Sequence, residues 1–296
     1  MSPVLFPLPG NERMAAALAD GLKGMGGRID VRRFPDGDSY VRIDTTVSDR
    51  TVILVCTLDR PDEKFLQLSL VAATARDLGA AQVGLVCPYL PYMRQDARFR
   101  PGEAISSRYF AHLLEVSFDW LVTVDPHLHR IHSLNQLFAI PAAAVHAAPY
   151  LADWIRNNVE NPLLIGPDSE SEQWVGSVAA RAQAAYTILE KVRRGDRDVE
   201  VSMPNIGDAA GRTPVLVDDI ISTGRTMVAA IRHLQALGWS PAPVCVGVHA
   251  IFAGDAYGAL RKAGAHDIIT TNTILHPSNR IDLHESIVNS VRSMIA

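Results

Sequence analysis

The run 215–227, VLVDDIISTGRTM, holds the densest chemistry in the chain. A short apolar stretch meets two adjacent carboxylates, Asp218 and Asp219. Ser222, Thr223, Gly224, Arg225 and Thr226 follow, and a helix-like segment, AAIRHLQALG, takes over. The order is strand, acidic pair, hydroxyl and glycine loop, helix. Such a loop presents main-chain N–H groups and three hydroxyls at a helix N-terminus, where unpaired donors and the helix dipole favour an anion such as phosphate. The acids lie at the carboxyl end of a strand, where open α/β sheets bind ligands. Neighbouring carboxylates repel one another and are costly to place unless a cation or a set of ligand hydroxyls needs them. The plainer alternative is a βα turn with Ser222 or Thr223 as helix cap and the acids solvated.

Four further stretches carry chemistry. In RRFPDGDSYVRI, Phe34, Asp36 and Asp38 surround a Pro-Asp-Gly turn, offering an aromatic face and two carboxylates at a loop tip; taken alone this is a hairpin turn. The stretch 88–110 is a loop longer than compact domains usually carry without a functional reason. It holds Arg94, Gln95, Asp96, Arg98, Arg100 and Arg108, and the arginine fork suits phosphate. In VTVDPHLHR a strand ends at Asp125 with His127 and His129 behind it, placed for a cation or a polyphosphate. Last, GPDSESEQW takes a strand into Asp168 ahead of a helix near Ser171. Downstream, LEKVRRGDRDVEVSMPN carries Lys191, Arg193 and Arg194 into what reads as a protruding hairpin able to close over a ligand.

These residues need a scaffold, and the chain supplies a regular one. Strand-like segments (4–7, 29–34, 40–43, 51–57, 82–87, 120–124, 162–165, 187–190, 215–217, 244–250, 267–273) alternate with helix-like ones (12–23, 63–78, 107–115, 148–158, 172–184, 285–295), the pattern of α/β protein with mostly parallel sheets. An Ala/Pro-rich connection at 141–149 marks a boundary between domains 1–145 and 146–296, with the last helix available to pack on the first domain. The stretch LVTVDPH at 121–127 echoes VLVDD at 215–219, which suggests duplication. The 296 residues are 48% hydrophobic and 20% charged, with 28 basic against 32 acidic side chains, so no basic surface for nucleic acid is expected. No apolar run reaches the roughly 20 residues needed to span a bilayer, and the opening residues read as a strand and turn rather than a targeting segment. Cys56, Cys87 and Cys245 lie in apolar runs and read as reduced core residues of a cytoplasmic protein.

A ribose 5-phosphate has the parts that the stretch at 218–226 asks for: two ring hydroxyls for the acids and a phosphate for the loop. That stretch resembles the phosphoribosyl-diphosphate (PRPP) motif of phosphoribosyltransferases, and the whole series, in order, resembles the ribose-phosphate pyrophosphokinase family. The resemblance implies two similar phosphoribosyltransferase-like domains, each a mostly parallel sheet flanked by helices. It implies ATP, often completed by a neighbouring subunit, as well as ribose 5-phosphate, Mg²⁺, and a homo-oligomer built of dimers. By position, Phe34, Asp36 and Asp38 resemble the adenine turn, with Asp38 for the usual Glu; Arg94, Gln95, Asp96 and Arg98 resemble the ATP loop, with Ala97 where Arg is common. His127 and Asp168 resemble metal and phosphate contacts, with Pro126 for Leu and Ser169-Glu170-Ser171 for the glycines. Lys191 and Arg193 resemble the catalytic flexible loop. Asp218, Asp219, Ser222, Thr223, Gly224, Arg225 and Thr226 resemble the ribose 5-phosphate loop, with Ser222 for Asp and Arg225 for Gly.

Two rival readings stay open on the sequence. A phosphoribosyltransferase that consumes PRPP explains the loop at 218–226 but leaves the first domain without a purpose. A silent homologue that regulates an active synthase fits the glycine replacements, although Lys191, Arg193 and His127 are all in place.

Overall fold

The computed structural model describes residues 1–128, 130–131, 133–194, 198–202 and 211–296, with Glu170, 190–194 and 198–202 described by main chain alone. His129 and the tip of the expected hairpin after Arg194 lie outside the described residues. In chain order the first elements are β1 (Val4–Pro7), α1 (Glu12–Leu22), β2 (Met25–Gly26), β3 (Ile29–Arg33), β4 (Ser39–Ile43), β5 (Thr51–Val55), α2 (Pro61–Asp77), β6 (Gln82–Cys87), α3 (Ser106–Ser117), β7 (Trp120–Val124) and β8 (Ala142–Val145). There follow α4 (Ala148–Asn158), β9 (Pro162–Gly166), α5 (Glu172–Ala182), β10 (Ala185–Ile188), β11 (Glu190–Arg194), β12 (Asp198–Ser202), β13 (Thr213–Ile220), α6 (Arg225–Ala236), β14 (Val244–His249), α7 (Ala256–Ala263), β15 (Asp267–Thr271), β16 (Asn279–Ile281) and α8 (His284–Ile295).

The chain forms two compact units, Met1–Val145 with Leu283–Ala296, and His146–Asp282. Each holds a six-stranded sheet, in order β2-β1-β5-β6-β7-β8 and β10-β9-β13-β14-β15-β16, and every neighbouring pair is parallel. Central strands such as Val52–Val55 and Val215–Val217 are buried on both faces, which is why they read as unbroken apolar runs rather than alternating ones. An antiparallel hairpin, β3-β4 or β11-β12, is inserted after the edge strand β2 or β10. The two units therefore share one strand order and one insertion point.

That shared order corrects the sequence-based pairing of the repeats. By position β13 corresponds to β5, whereas β7 corresponds to β15. The resemblance between 121–127 and 215–219 reflects two strands that both end in acids, not equivalent ones. The α/β class and the two similar parallel-sheet domains hold. Several boundaries differ. β13 runs through Asp218 and Asp219 to Ile220, because β14 keeps pairing with it as far as Ile220 opposite His249. β8 occupies part of the expected linker, and α7 replaces an unassigned stretch.

In the first unit α8 packs against α1, where Gly21 admits the Val288 side chain and the Arg292 guanidinium donates to the Gly21 carbonyl at 2.6 Å. β6, which leads into the arginine loop, is held by a closer fit. A methyl group on Gly84 would stand 2.0 Å from the indole carbons of buried Trp120. Gly84→Ala must displace that ring, so a loss of about 1–3 kcal/mol is expected in denaturant titration; an unchanged midpoint would show that the indole has room to move.

Candidate active site

In the second unit the acids and hydroxyls gather at one end of the sheet. β9 and β13 are parallel neighbours with Ile165 opposite Leu216, so Asp168 and Asp218 emerge at the same end. Asp168 caps the 3-10 turn Ser169–Ser171. Its Oδ1 accepts from the Ser171 N–H at 3.3 Å, and the Ser171 hydroxyl donates to its carbonyl at 2.6 Å. Ser171 thus closes a capped turn on Asp168. Asp218 Oδ1 accepts the Asp219 N–H at 3.0 Å. Its carboxyl is pushed well above the ordinary range, chiefly by burial and then by the charges of Asp219 and Asp168.

Gly224 makes the turn into α6. Its φ of +66° is a left-handed conformation that glycine adopts without penalty, and Leu260 and Ala256 of α7 stand beside it. Arg225 is the first residue of α6 and brings no backbone strain, since the positive φ belongs to Gly224. Its exposed guanidinium sits at the positive end of the helix dipole, an unfavourable place for a cation unless an anion binds there. Thr223 is exposed, and Ser222 and Thr226 are half-buried on the same rim. Lys191 and Arg193 lie on β11, opposite Val201 and Val199 of β12.

In the first unit the β3-β4 hairpin carries Phe34, Asp36 and Asp38 at its exposed tip. The Phe34 N–H donates to the Asp38 carbonyl at 2.7 Å, and Gly37 turns the chain with φ of +98°. Phe34 meets Tyr40 edge to face at 5.8 Å between centroids, and the Arg32 guanidinium lies 4.2 Å over the Tyr40 ring and 5.1 Å over Phe34. An aromatic face 41% exposed, propped by a tyrosine and an arginine, suits stacking with a flat base. Arg32 and Tyr40 draw no notice in the sequence; the hairpin register, which sets them opposite each other, is the signal that finds them.

The arginine loop divides its residues in two. Arg94, Arg98 and Arg100 are exposed, while the Glu103 carboxylate accepts the Phe99 and Arg100 N–H groups, each at 3.0 Å. The Gln95 side chain accepts from the Ser106 hydroxyl at 2.7 Å. Asp96, grouped in the sequence with the ATP contacts, is turned inward with its side chain 2% exposed. Its oxygens accept the Arg130 N–H at 3.1 Å and the Arg130 guanidinium at 2.9 Å. The geometry makes Asp96 an internal brace, tying the loop to the segment after β7, where half-buried His127 lies. Thirty-four residues separate Asp96 from Arg130, so no local pattern exposes the pair. Among the described residues no three of His, Cys, Asp and Glu form a ready metal cage. Asp218 and Asp219 are chain neighbours, the charge of Asp168 is felt at Asp218, and oxygen donors of this type suit a hard cation.

Both acids give testable signs. Burial raises the Asp96 carboxyl, and the Arg130 hydrogen bonds outweigh it, so the net shift is downward. The stability it contributes is present above the unfolded carboxylate value, about 3.9, and is lost as pH falls through the lower folded value. Arg130→Met is expected to cost roughly 1–3 kcal/mol at neutral pH, shrinking in acid; a cost independent of pH would contradict the pairing. Asp218 runs the other way. Ionising a carboxyl whose folded pKa is raised costs stability as pH climbs above the unfolded value. Asp218→Asn is therefore expected to raise the thermal midpoint at about pH 8 by a few degrees, with the gain gone near about pH 4. A lowered midpoint at the higher pH would refute the crowding.

Comparison with known proteins matches the chain along most of its length. Residues 3–117 match the N-terminal domain of ribose phosphate pyrophosphokinase, and residues 133–281 match the phosphoribosyl transferase domain. The ribose-phosphate pyrophosphokinase of Saccharolobus solfataricus is 38% identical over 251 residues, 83% of this chain and 84% of its own. That of Methanobrevibacter smithii is 31% identical over 294 residues, 95% of this chain and 97% of its own. The crystal structure of phosphoribosylpyrophosphate synthetase from Mycobacterium smegmatis has the same fold, with a TM-score of 0.84 over 100% of this chain and 99% of its own at 24% identity. With both domain families matched in order, and relatives similar along most of their length, this chain belongs to the ribose-phosphate pyrophosphokinase family.

Proposed function

We propose that the protein transfers the β,γ-diphosphoryl group of ATP to the 1-hydroxyl of ribose 5-phosphate, giving PRPP and AMP for nucleotide synthesis. The observation that carries this reading is the pairing, on one strand–loop–helix unit, of crowded carboxylates with a glycine-turned loop at the start of α6. Carboxylates accept hydrogen bonds from ring hydroxyls, and the loop N–H groups, hydroxyls and Arg225 offer donors to the 5-phosphate. In the first unit Phe34 offers its face to adenine, Asp36 and Asp38 offer acceptors at the same tip, and Arg94, Gln95 and Arg98 serve the triphosphate. Asp96 acts behind them by fixing Arg130 and the loop.

Little covalent work falls to the protein in such a transfer. The 1-hydroxyl oxygen attacks the β-phosphorus in line and gives up its proton to solvent, the bond from that phosphorus to the oxygen bridging to the α-phosphate breaks, and AMP leaves with that oxygen. Catalysis is positioning plus neutralisation of charge on the transferring oxygens. Asp218 and Asp219 would orient the ribose so that its 1-hydroxyl faces the phosphorus, and Lys191 and Arg193 would meet the charge that builds on the diphosphoryl group. His127 is proposed as a phosphate or metal contact within the first unit and, separately, Asp168 as a metal contact beside the acids of the second; Mg²⁺, when bound, would neutralise phosphate charge.

We also place the protein in the cytoplasm as a homo-oligomer. The three cysteines are buried thiols, and among the described residues no helix is long and apolar enough to cross a membrane. Leu66 and Leu70 of α2 and Tyr109, Leu113 and Val116 of α3 form an exposed apolar face, which supports association of copies. A phosphoribosyltransferase would leave the first unit without a role.

Lys191→Ala is expected to lower kcat at least 100-fold, the size of effect seen when one preorganised transition-state donor is removed, with little change in ATP affinity. The rate of AMP formation at saturating substrates decides it; near wild-type turnover would remove Lys191 from catalysis.

A further inference from the structure

The loop 221–224 is not shaped by α6 alone. A second segment, 249–253, runs beside it and holds its main chain through three hydrogen bonds. The Ile221 N–H donates to the His249 carbonyl at 3.1 Å, the Phe252 N–H to the Ile221 carbonyl at 2.9 Å, and the Ala253 N–H to the Ser222 carbonyl at 3.1 Å. The strap then enters α7, whose Ala256 and Leu260 back Gly224. Phe252 takes a φ of +40°, a conformation that a bulky residue keeps only where its surroundings dictate it. Those surroundings are rings: Tyr257 at 5.3 Å and His276 at 4.5 Å between centroids.

The strap has a buried polar anchor at its start. His249 is 1% exposed, and its Nδ1 lies 2.9 Å from the Thr273 hydroxyl, itself 1% exposed. The hydroxyls of Thr271 and Thr273 both reach the Val248 carbonyl, at 2.8 and 3.2 Å, and stand 3.1 Å from each other. The carbonyl and imidazole of successive residues, Val248 and His249, are thereby tied to the chain that leaves β15. Two residues before His249, Gly247 leaves room for Ile221, since a methyl there would stand 2.7 Å from its side chain. A buried imidazole needs such partners, and an apolar residue of similar size would fill the same space without fixing the main chain in rotation.

We propose that His249 is a positioning residue for the ribose 5-phosphate loop: anchored on Thr273, it fixes the strap 249–253, and the strap holds the main chain at 221–222 in the shape that receives the phosphate. This rests on the reading of 218–226 as the ribose 5-phosphate loop. His249 itself touches no reacting atom in this arrangement, and its effect belongs to acceptor affinity rather than to ATP.

The test is calorimetric titration of ribose 5-phosphate and, separately, of ATP into the full-length wild type, His249→Leu, His249→Asn, His249→Gln, Thr273→Val and Asp219→Asn. His249→Leu is expected to weaken ribose 5-phosphate roughly tenfold or more, the scale of a small misplacement at a binding centre, with ATP affinity kept. His249→Asn, whose amide can stand near the position of Nδ1, is expected to recover most of that loss, and His249→Gln is not. Thr273→Val, nearly isosteric, is expected to reproduce the weakening even where the Leu variant folds poorly. A purely structural role would lower thermal midpoints without separating the two ligands or the two amides, and would overturn the proposal. Wild-type affinity in both His249→Leu and Thr273→Val, alongside a loss in Asp219→Asn, would overturn it while leaving the loop reading intact. Wild-type affinity in Asp219→Asn would overturn the loop reading and the proposal with it.

Discussion

Like charge held close in a partly buried place is the constraint on which the second unit turns. Asp218 is desolvated, Asp219 is its chain neighbour, and Asp168 adds a third carboxylate from the turn that follows the adjacent strand β9. In water such acids would move apart. Here they cannot, because β13 is paired on both sides and its preceding residues, Val215–Val217, are buried in the core. The sheet therefore spends stability to keep oxygens where a polyol or a hard cation could use them.

The same architecture appears twice and is used differently each time. Each unit inserts an antiparallel hairpin after its edge strand; one hairpin displays Phe34, Asp36 and Asp38, and the other carries Lys191 and Arg193. The equivalent central strands diverge as well. β13 passes Asp218 and Asp219 into the loop before α6, whereas β5 leads through Cys56, Thr57 and Leu58, all buried, toward α2. Identical topology with different residues at the carboxyl ends of the strands is how one fold can serve different ligands in its two copies.

Much of the fold is legible in the sequence because buried parallel strands and amphipathic helices leave plain signatures. What escapes has physical reasons. The end of β13 is misplaced since a carboxylate looks like a strand terminator, while pairing with β14 carries the strand on to Ile220. β8, AAAV, reads as linker because alanine has little strand preference, yet β7 supplies it with a full set of partners. α7 is short and contains Gly258, which weakens its helical signal. Asp96 reads by its neighbours in sequence, while its role is set by Arg130, far along the chain. Similarly, the true counterpart of β13 in the repeat can be found only from strand order, since β5 carries no acids at its end.

The central claim is transfer of an intact diphosphoryl group to the anomeric hydroxyl of ribose 5-phosphate, and phosphorus NMR tests it most directly. The purified protein would be mixed with Mg²⁺, ATP and ribose 5-phosphate, and the spectrum followed in time. AMP is expected to appear in step with a new pair of diphosphate doublets on the sugar C1. Intact ATP, or ADP formed without AMP, would contradict the claim.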